Sequence, residues 1–159
     1  PDRERLRSCT FVDPDVRSML ARELDQAARA LSGVALDPHA SHGDFGYGNI
    51  LVDPGSGVLE GVIDWDTARP LDFPGIDRVN LEIQIRPDGG FGERVSTVWK
   101  ERAAYDALQG DGGEGRVRAL FGLGVARFVL RSLTYPKVYR RQAPGFRRAL
   151  RWLSRVDAG

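Results

Sequence analysis

Cysteine and methionine are nearly absent from this chain, and it has no long apolar run. A single cysteine, Cys9, in 159 residues excludes an internal disulfide framework, so a reduced, cytoplasmic setting is the simplest expectation. The longest apolar stretch, Leu120 to Leu130, is broken by Arg127 and falls short of the roughly 20 residues that span a bilayer, so no membrane span is expected. The first residue is Pro1, and the only methionine, Met19, lies inside a helical pattern. The chain is therefore expected to begin downstream of a natural start.

Hydrophobic residues at 42% and charged residues at 28% suit one ordinary folded domain of this length. Net charge is small, at +1, yet it is unevenly spread. Residues 1–115 carry 12 basic and 21 acidic residues, whereas residues 116–159 carry 11 and one. The basic segment reads first as the counter-charge of the acidic one. Nucleic-acid binding through Arg140 to Arg155 is the weaker reading, because no base-stacking or groove-reading motif accompanies the charge.

The expected fold class is α+β, mostly α. Asp13-Pro14 is an N-cap followed by a first-turn proline, and Val16, Leu20, Leu24, Ala27, Ala28 and Leu31 recur at helical spacing, predicting a helix over 13–33. Residues 39–48 lack a period and read as a loop. Ile50–Val52 and Val58–Ile63 flank Asp53-Pro54-Gly55-Ser56-Gly57 and read as a β-hairpin, buried because apolar residues fall on both faces. Helices are expected near 76–85, over 93–108, over 116–134 with Pro136 as its stop, and over 144–156. Gly110 to Gly115 reads as an exposed loop. Residues 93–156 would form a helical substrate subdomain. Tyr47 and Phe45 are expected to pack within the loop, and Trp99 and Trp152 in the core.

The segment with the most chemistry is His42-Gly43-Asp44-Phe45-Gly46-Tyr47-Gly48-Asn49, followed after the hairpin by Asp64-Trp65-Asp66. Symmetric pairing about Ser56-Gly57 would set Ile50 opposite Ile63 and Asn49 opposite Asp64, with Cβ atoms about 4.5–5.5 Å apart. An amide oxygen and a carboxylate at that spacing can share a small hard cation, with Mg²⁺ as the natural candidate. Asp66 joins them if the strand runs on through Trp65, with its carboxylate then on the same side. Asp44, on the irregular loop, is free to act as a base toward a hydroxyl. His42 reads as a loop organiser. Taken alone, Asp64-Trp65-Asp66 could also be a strand-end Asp-x-Asp metal site of the glycosyltransferase kind, or two solvated carboxylates around a core tryptophan.

Together, His-Gly-Asp, four residues, Asn, a hairpin and Ile-Asp-Trp-Asp resemble the aminoglycoside phosphotransferase and choline kinase-like family, relatives of the protein kinases. The resemblance implies the C-terminal lobe of a protein kinase-like fold and transfer of the γ-phosphoryl group of ATP to a small-molecule hydroxyl. It implies Asp44 as catalytic base, with Asn49 and Asp64 as the ligands of the Mg²⁺ that bridges the nucleotide phosphates. Asp72-Phe73-Pro74-Gly75-Ile76-Asp77 is a looser likeness to a segment whose last aspartate braces the catalytic loop, here Asp77. The family's N-terminal lobe, with its glycine-rich strands and phosphate-holding lysine, has no counterpart in the sequence, so that lobe or an adjoining domain is an expected partner. The alternative is a non-catalytic regulatory or docking module. Acidic positions such as Glu93, Glu101 and Asp106 admit a cationic acceptor.

Overall fold

The computed structural model describes residues 2–34, 39–73, 75–101 and 113–156. Six helices and one two-stranded antiparallel sheet occur among them: α1 (Asp2–Ser8), α2 (Pro14–Ala30), β1 (Ile50–Val52), β2 (Leu59–Val62), α3 (Ile76–Ile85), α4 (Phe91–Lys100), α5 (Gly113–Ser132) and α6 (Pro136–Val156). The capping aspartate of α2 acts as its sequence implies. Asp13 Oδ1 accepts from the main-chain N–H of Asp15 at 3.0 Å and of Val16 at 3.4 Å, and Pro14 occupies the first turn, where its missing N–H costs nothing.

Helix α5 is the axis of the core. It packs on α2, α3 and α6, and α4 closes the bundle against α6 and α3. Val16 and Leu20 of α2, Val125, Ala126 and Val129 of α5, and Phe146, Leu150 and Leu153 of α6 are all fully buried. Inside this apolar contact lies one ion pair. Arg118 on α5 donates to both carboxylate oxygens of Glu23 on α2, at 3.0 and 3.2 Å, and to the Leu153 carbonyl of α6 at 3.0 Å. The guanidinium so ties three helices together. Gly122 makes the room, since a Cβ there would stand 2.5 Å from Glu23 Oε2. No helix among the described residues is long and apolar enough to cross a membrane.

Several expectations from the sequence need correction. The hairpin is not buried: Leu51, Val52, Val58, Leu59 and Ile63 are exposed, because no described helix packs extensively over the two strands. Its register also differs, with Ile50 opposite Val62, Leu51 opposite Gly61 and Val52 opposite Leu59. The cause is the turn. Asp53 Oδ1 accepts from Ser56 N–H and Ser56 Oγ, each at 2.6 Å, and the Asp53 N–H donates to the Val58 carbonyl at 2.9 Å. These bonds close the loop one residue tighter than symmetric pairing requires, and an irregularity between Leu51 and Val52 takes up part of the offset.

Helix α4 starts two residues before Glu93, and its expected continuation over 102–108 lies outside the described residues, as does Gly110 to Gly112. Gly113 to Gly115 form the first turn of α5, not a loop. Pro136 stops nothing, because it opens α6, and Pro144 lies inside that helix. A proline at the first helical position is as favourable a start as it is an end signal, and buried Tyr139 anchors the turns before Pro144 to Phe146 and Phe11. Trp99 is in the core and Trp152 packs against it half-buried.

Candidate functional site

The loop from Ser41 to Asn49 is irregular, yet nearly every turn of it is fixed by a named bond. At its start the main chains of Ser41 and Arg69 exchange two hydrogen bonds of 2.9 Å. Ser41 Oγ donates to Asp72 Oδ2 at 2.6 Å, and Arg127 of α5 donates to both Asp72 oxygens at 2.5 and 2.6 Å. Burial by itself would raise the Asp72 carboxyl, but the bonds from Arg127 and Ser41 and the Arg127 charge outweigh it and hold it below its ordinary value.

His42 and Gly43 come next, and Asp77 grips both. Its Oδ2 accepts from the His42 N–H at 2.6 Å and its Oδ1 from the Gly43 N–H at 2.9 Å. Asp77 stands in the first turn of α3, so the helix docked on α5 carries the carboxylate to the loop. Gly43 has φ of +78°, and a Cβ on it would lie 2.5 Å from the Thr67 carbonyl oxygen. Only glycine fits there without displacement. Thr67 Oγ1 donates to the His42 carbonyl at 3.0 Å.

The His42 side chain is 2% exposed and works as a spacer between loop and hairpin. Nε2 lies 2.8 Å from the Ile63 carbonyl, which can only accept, so Nε2 carries the proton. Nδ1 is then the acceptor for the Asp44 N–H at 3.2 Å. The ring also meets Phe45 edge-on and Trp65 at a tilt, with centroids 5.9 and 4.7 Å away. Phe45 does pack in the loop, but Tyr47 is exposed, contrary to the expectation for it. Trp65 is no core residue either: it is 52% exposed and donates through Nε1 to the Val62 carbonyl at 2.8 Å.

Asn49 and Asp44 are in direct contact, with Asn49 Nδ2 donating to the Asp44 carbonyl at 2.9 Å. The Asn49 carbonyl accepts from the Ile63 N–H at 3.0 Å. Asn49 therefore stands opposite Ile63, one residue short of the expected pairing with Asp64. Asp64 follows at the strand end with φ of +64°, the only non-glycine residue with positive φ among those described. An aspartate tolerates that region better than most residues, at a strain cost of about 1–3 kcal/mol. Its carboxylate is solvent-exposed and meets no partner among the described residues. Asp66, in the 3₁₀ turn Trp65–Thr67, is exposed too, and no described side chain holds it. The strand ends before Trp65, so the alternation that would have aligned Asp66 with Asp64 does not operate.

Among the described residues no group of three or more His, Cys, Asp and Glu side chains is placed to hold a metal. The hairpin mouth offers instead one amide oxygen, Asn49 Oδ1, and one carboxylate, Asp64. The Asn49 amide nitrogen is committed to the Asp44 carbonyl, so Oδ1 is the side-chain atom of Asn49 left to act as a ligand. Two oxygen donors fit a hard cation that takes its other ligands from water and phosphates, which is the habit of Mg²⁺.

One contact at the site was invisible in the sequence. Arg131 of α5 forms an ion pair with Asp44 Oδ1 through Nη1. Its guanidinium also lies over the Phe128 ring, 4.8 Å from the centroid, and burial lowers it to about 10, leaving it cationic at neutral pH. The signal available was the pair Arg127 and Arg131, four residues apart on one face of an otherwise apolar helix. Of the acidic positions considered for a cationic acceptor, Glu93 lies 3.8 Å from Arg148 and Glu101 pairs with Arg86, and Asp106 is outside the described residues.

Residues 2–75 match the sequence model of the phosphotransferase enzyme family. The matched stretch contains His42, Asp44, Asn49, Asp64 and Asp66 and stops before Asp77. No curated protein and no solved structure matches the chain.

Proposed function

Residues 2–75 belong to the phosphotransferase enzyme family, and from that premise we propose that the chain carries the acceptor half of an ATP-dependent phosphotransferase acting on a small-molecule hydroxyl. The observation that carries this reading is the bond from Asn49 Nδ2 to the Asp44 carbonyl. It ties the Asn49 side chain to the main chain of the loop residue that bears the proposed base, and the Asn49 carbonyl in turn takes the Ile63 N–H one residue before Asp64.

In the proposed reaction Asp44 orients the acceptor hydroxyl through Oδ2, since Oδ1 is held by Arg131. The bond between the γ-phosphorus and its bridging oxygen to ADP breaks, the hydroxyl oxygen forms the new bond to phosphorus, and the hydroxyl proton passes to Asp44. Asn49 and Asp64 would hold Mg²⁺, which supplies charge neutralisation on the phosphates. Asp66 contributes through water or not at all, given its exposed turn. His42 and Asp77 act on the path of the loop, keeping Asp44 aimed. The exposed apolar faces of the hairpin, with Trp65 and Tyr47 beside them, are the surface on which an adjoining N-terminal lobe would close over the nucleotide; an apolar patch rimmed by polar residues favours such a cover.

Phosphoryl transfer from ATP to a panel of alcohols, followed by ³¹P NMR, tests the proposal. Asp44→Asn is expected to lower the rate by about 10²–10⁴. Transfer at the wild-type rate in that variant would refute the assigned base, and a chain inert in every pairing with an N-terminal lobe would favour the non-catalytic docking module.

A further inference from the structure

Behind the catalytic loop is a small cleft lined by Arg5, Gly43, Thr67, Arg69, Arg127 and Arg131, among others, with a volume of about 40 Å³. That is room for one compact group, not for a sugar ring or a nucleotide. Four guanidiniums border it, and their partners are unequal. Arg69 pairs with Asp2, and Arg127 with Asp2 and Asp72. Arg5 donates to the Thr134 hydroxyl and meets no carboxylate among the described residues. Arg131 gives one of its five N–H donors to Asp44, and the others meet no acceptor among the described residues. No Arg131 nitrogen is both buried and unpaired, so those donors stand open to a ligand, and a guanidinium offers them in a fixed planar fork. Three carboxylates, Asp2 and Asp72 in the cleft and Asp44 on Arg131, thus face four arginines, and the one left without a carboxylate among the described residues is Arg5.

We propose that Arg5 and Arg131 bind a carboxylate carried by the acceptor, so that the substrate is a small hydroxy acid. This rests on the phosphotransferase reading and adds the chemical class of the acceptor to it. Arg131 touches both the cleft and Asp44, so an acid group on its free N–H edge would leave a hydroxyl one or two carbons away beside Asp44 Oδ2. The planar fork of a guanidinium matches a carboxylate in two parallel bonds, and the cleft volume suits that group.

Titration of the full chain, followed by two-dimensional NMR, separates the outcomes with three probes: D-glycerate, neutral glycerol and cationic ethanolamine. Glycerate is expected to shift the amide signals of Gly43 and Thr67, and the other two to leave them in place. Arg5→Gln and Arg131→Gln are each expected to raise the glycerate Kd by about 10- to 100-fold, the loss of one charge-assisted contact. Arg131→Lys should recover part of the affinity. Asp44→Asn should tighten glycerate, because it removes the carboxylate that competes for Arg131. Glycerol or ethanolamine binding as well as glycerate, an unchanged Kd in both glutamine variants, or weaker binding in Asp44→Asn would each overturn the proposal. Glycerate binding in a chain that transfers no phosphoryl group would refute the phosphotransferase reading and leave the anion site standing. Transfer to neutral alcohols at a rate indifferent to Arg5→Gln would do the reverse.

Discussion

Asp77 offers the sharpest test of how the loop is held. Its two oxygens accept from consecutive main-chain N–H groups, His42 at 2.6 Å and Gly43 at 2.9 Å, and nothing else in the described structure is placed to take those donors. Hydrogen bonds to a charged group are worth about 1.5–3 kcal/mol each. The site is only partly buried, so water replaces some of what Asp77→Ala removes, and the expected loss of unfolding free energy is about 2–4 kcal/mol. Asp77→Asn keeps one acceptor oxygen and should lose about half as much. Urea denaturation gives the total, and amide hydrogen exchange locates it: protection at His42 and Gly43 should collapse in Asp77→Ala while amides of α5 and α6 lose only the global amount. A variant within about 0.5 kcal/mol of wild type, with both loop amides still protected, would refute the brace.

The remaining predictions concern the packing around the site. Glu23→Ala should cost about 3–5 kcal/mol in unfolding free energy by leaving the buried Arg118 charge without its carboxylate, whereas an apolar replacement of both partners should cost far less, measured by the same denaturation. Gly43→Ala should destabilise by about 1–3 kcal/mol from positive φ, with the contact to Thr67 adding to it, read as a drop in Tm. The Asp72 carboxyl lies below its ordinary value of 3.8 in the folded chain. Its contribution to stability is therefore full above that value and is lost as pH falls through the lower native one. Asp72→Asn should flatten the acid end of the stability curve relative to wild type, and an unchanged acid limb would contradict the assignment.

The legible parts of the fold were those where one residue type has one cheap use. Asp13-Pro14 marked the start of α2, and the period of Ile76 to Ile85 marked α3 to the residue. The illegible parts were decided by partners distant in sequence. Proline opens a helix as readily as it ends one, so Pro136 and Pro144 could not be ordered without knowing that Tyr139 is buried. Alternating apolar residues in the hairpin described its strands but not whether anything lies over them. At the site, Asp44, Asn49 and Asp64 stood out because loop, amide and strand end follow one another along the chain. The pairing of Asn49 was still placed one residue off, since a side chain, Asp53, set the turn. Arg131 lies 87 residues from Asp44, and no local pattern connects them.

The β1–β2 ribbon has a consequence for how the protein opens. Two short strands without a covering layer are marginal in water, whereas the helices beneath share one apolar interior. The tip from Asp53 to Val58 will therefore exchange its amide protons through local fraying long before the bundle unfolds. Asp64 rides on the stem of that fraying ribbon and Asn49 at its root, tied to Asp44 and Ile63. A ligand that spans the two will arrest the fraying, and part of its binding free energy will be consumed in stiffening the strands.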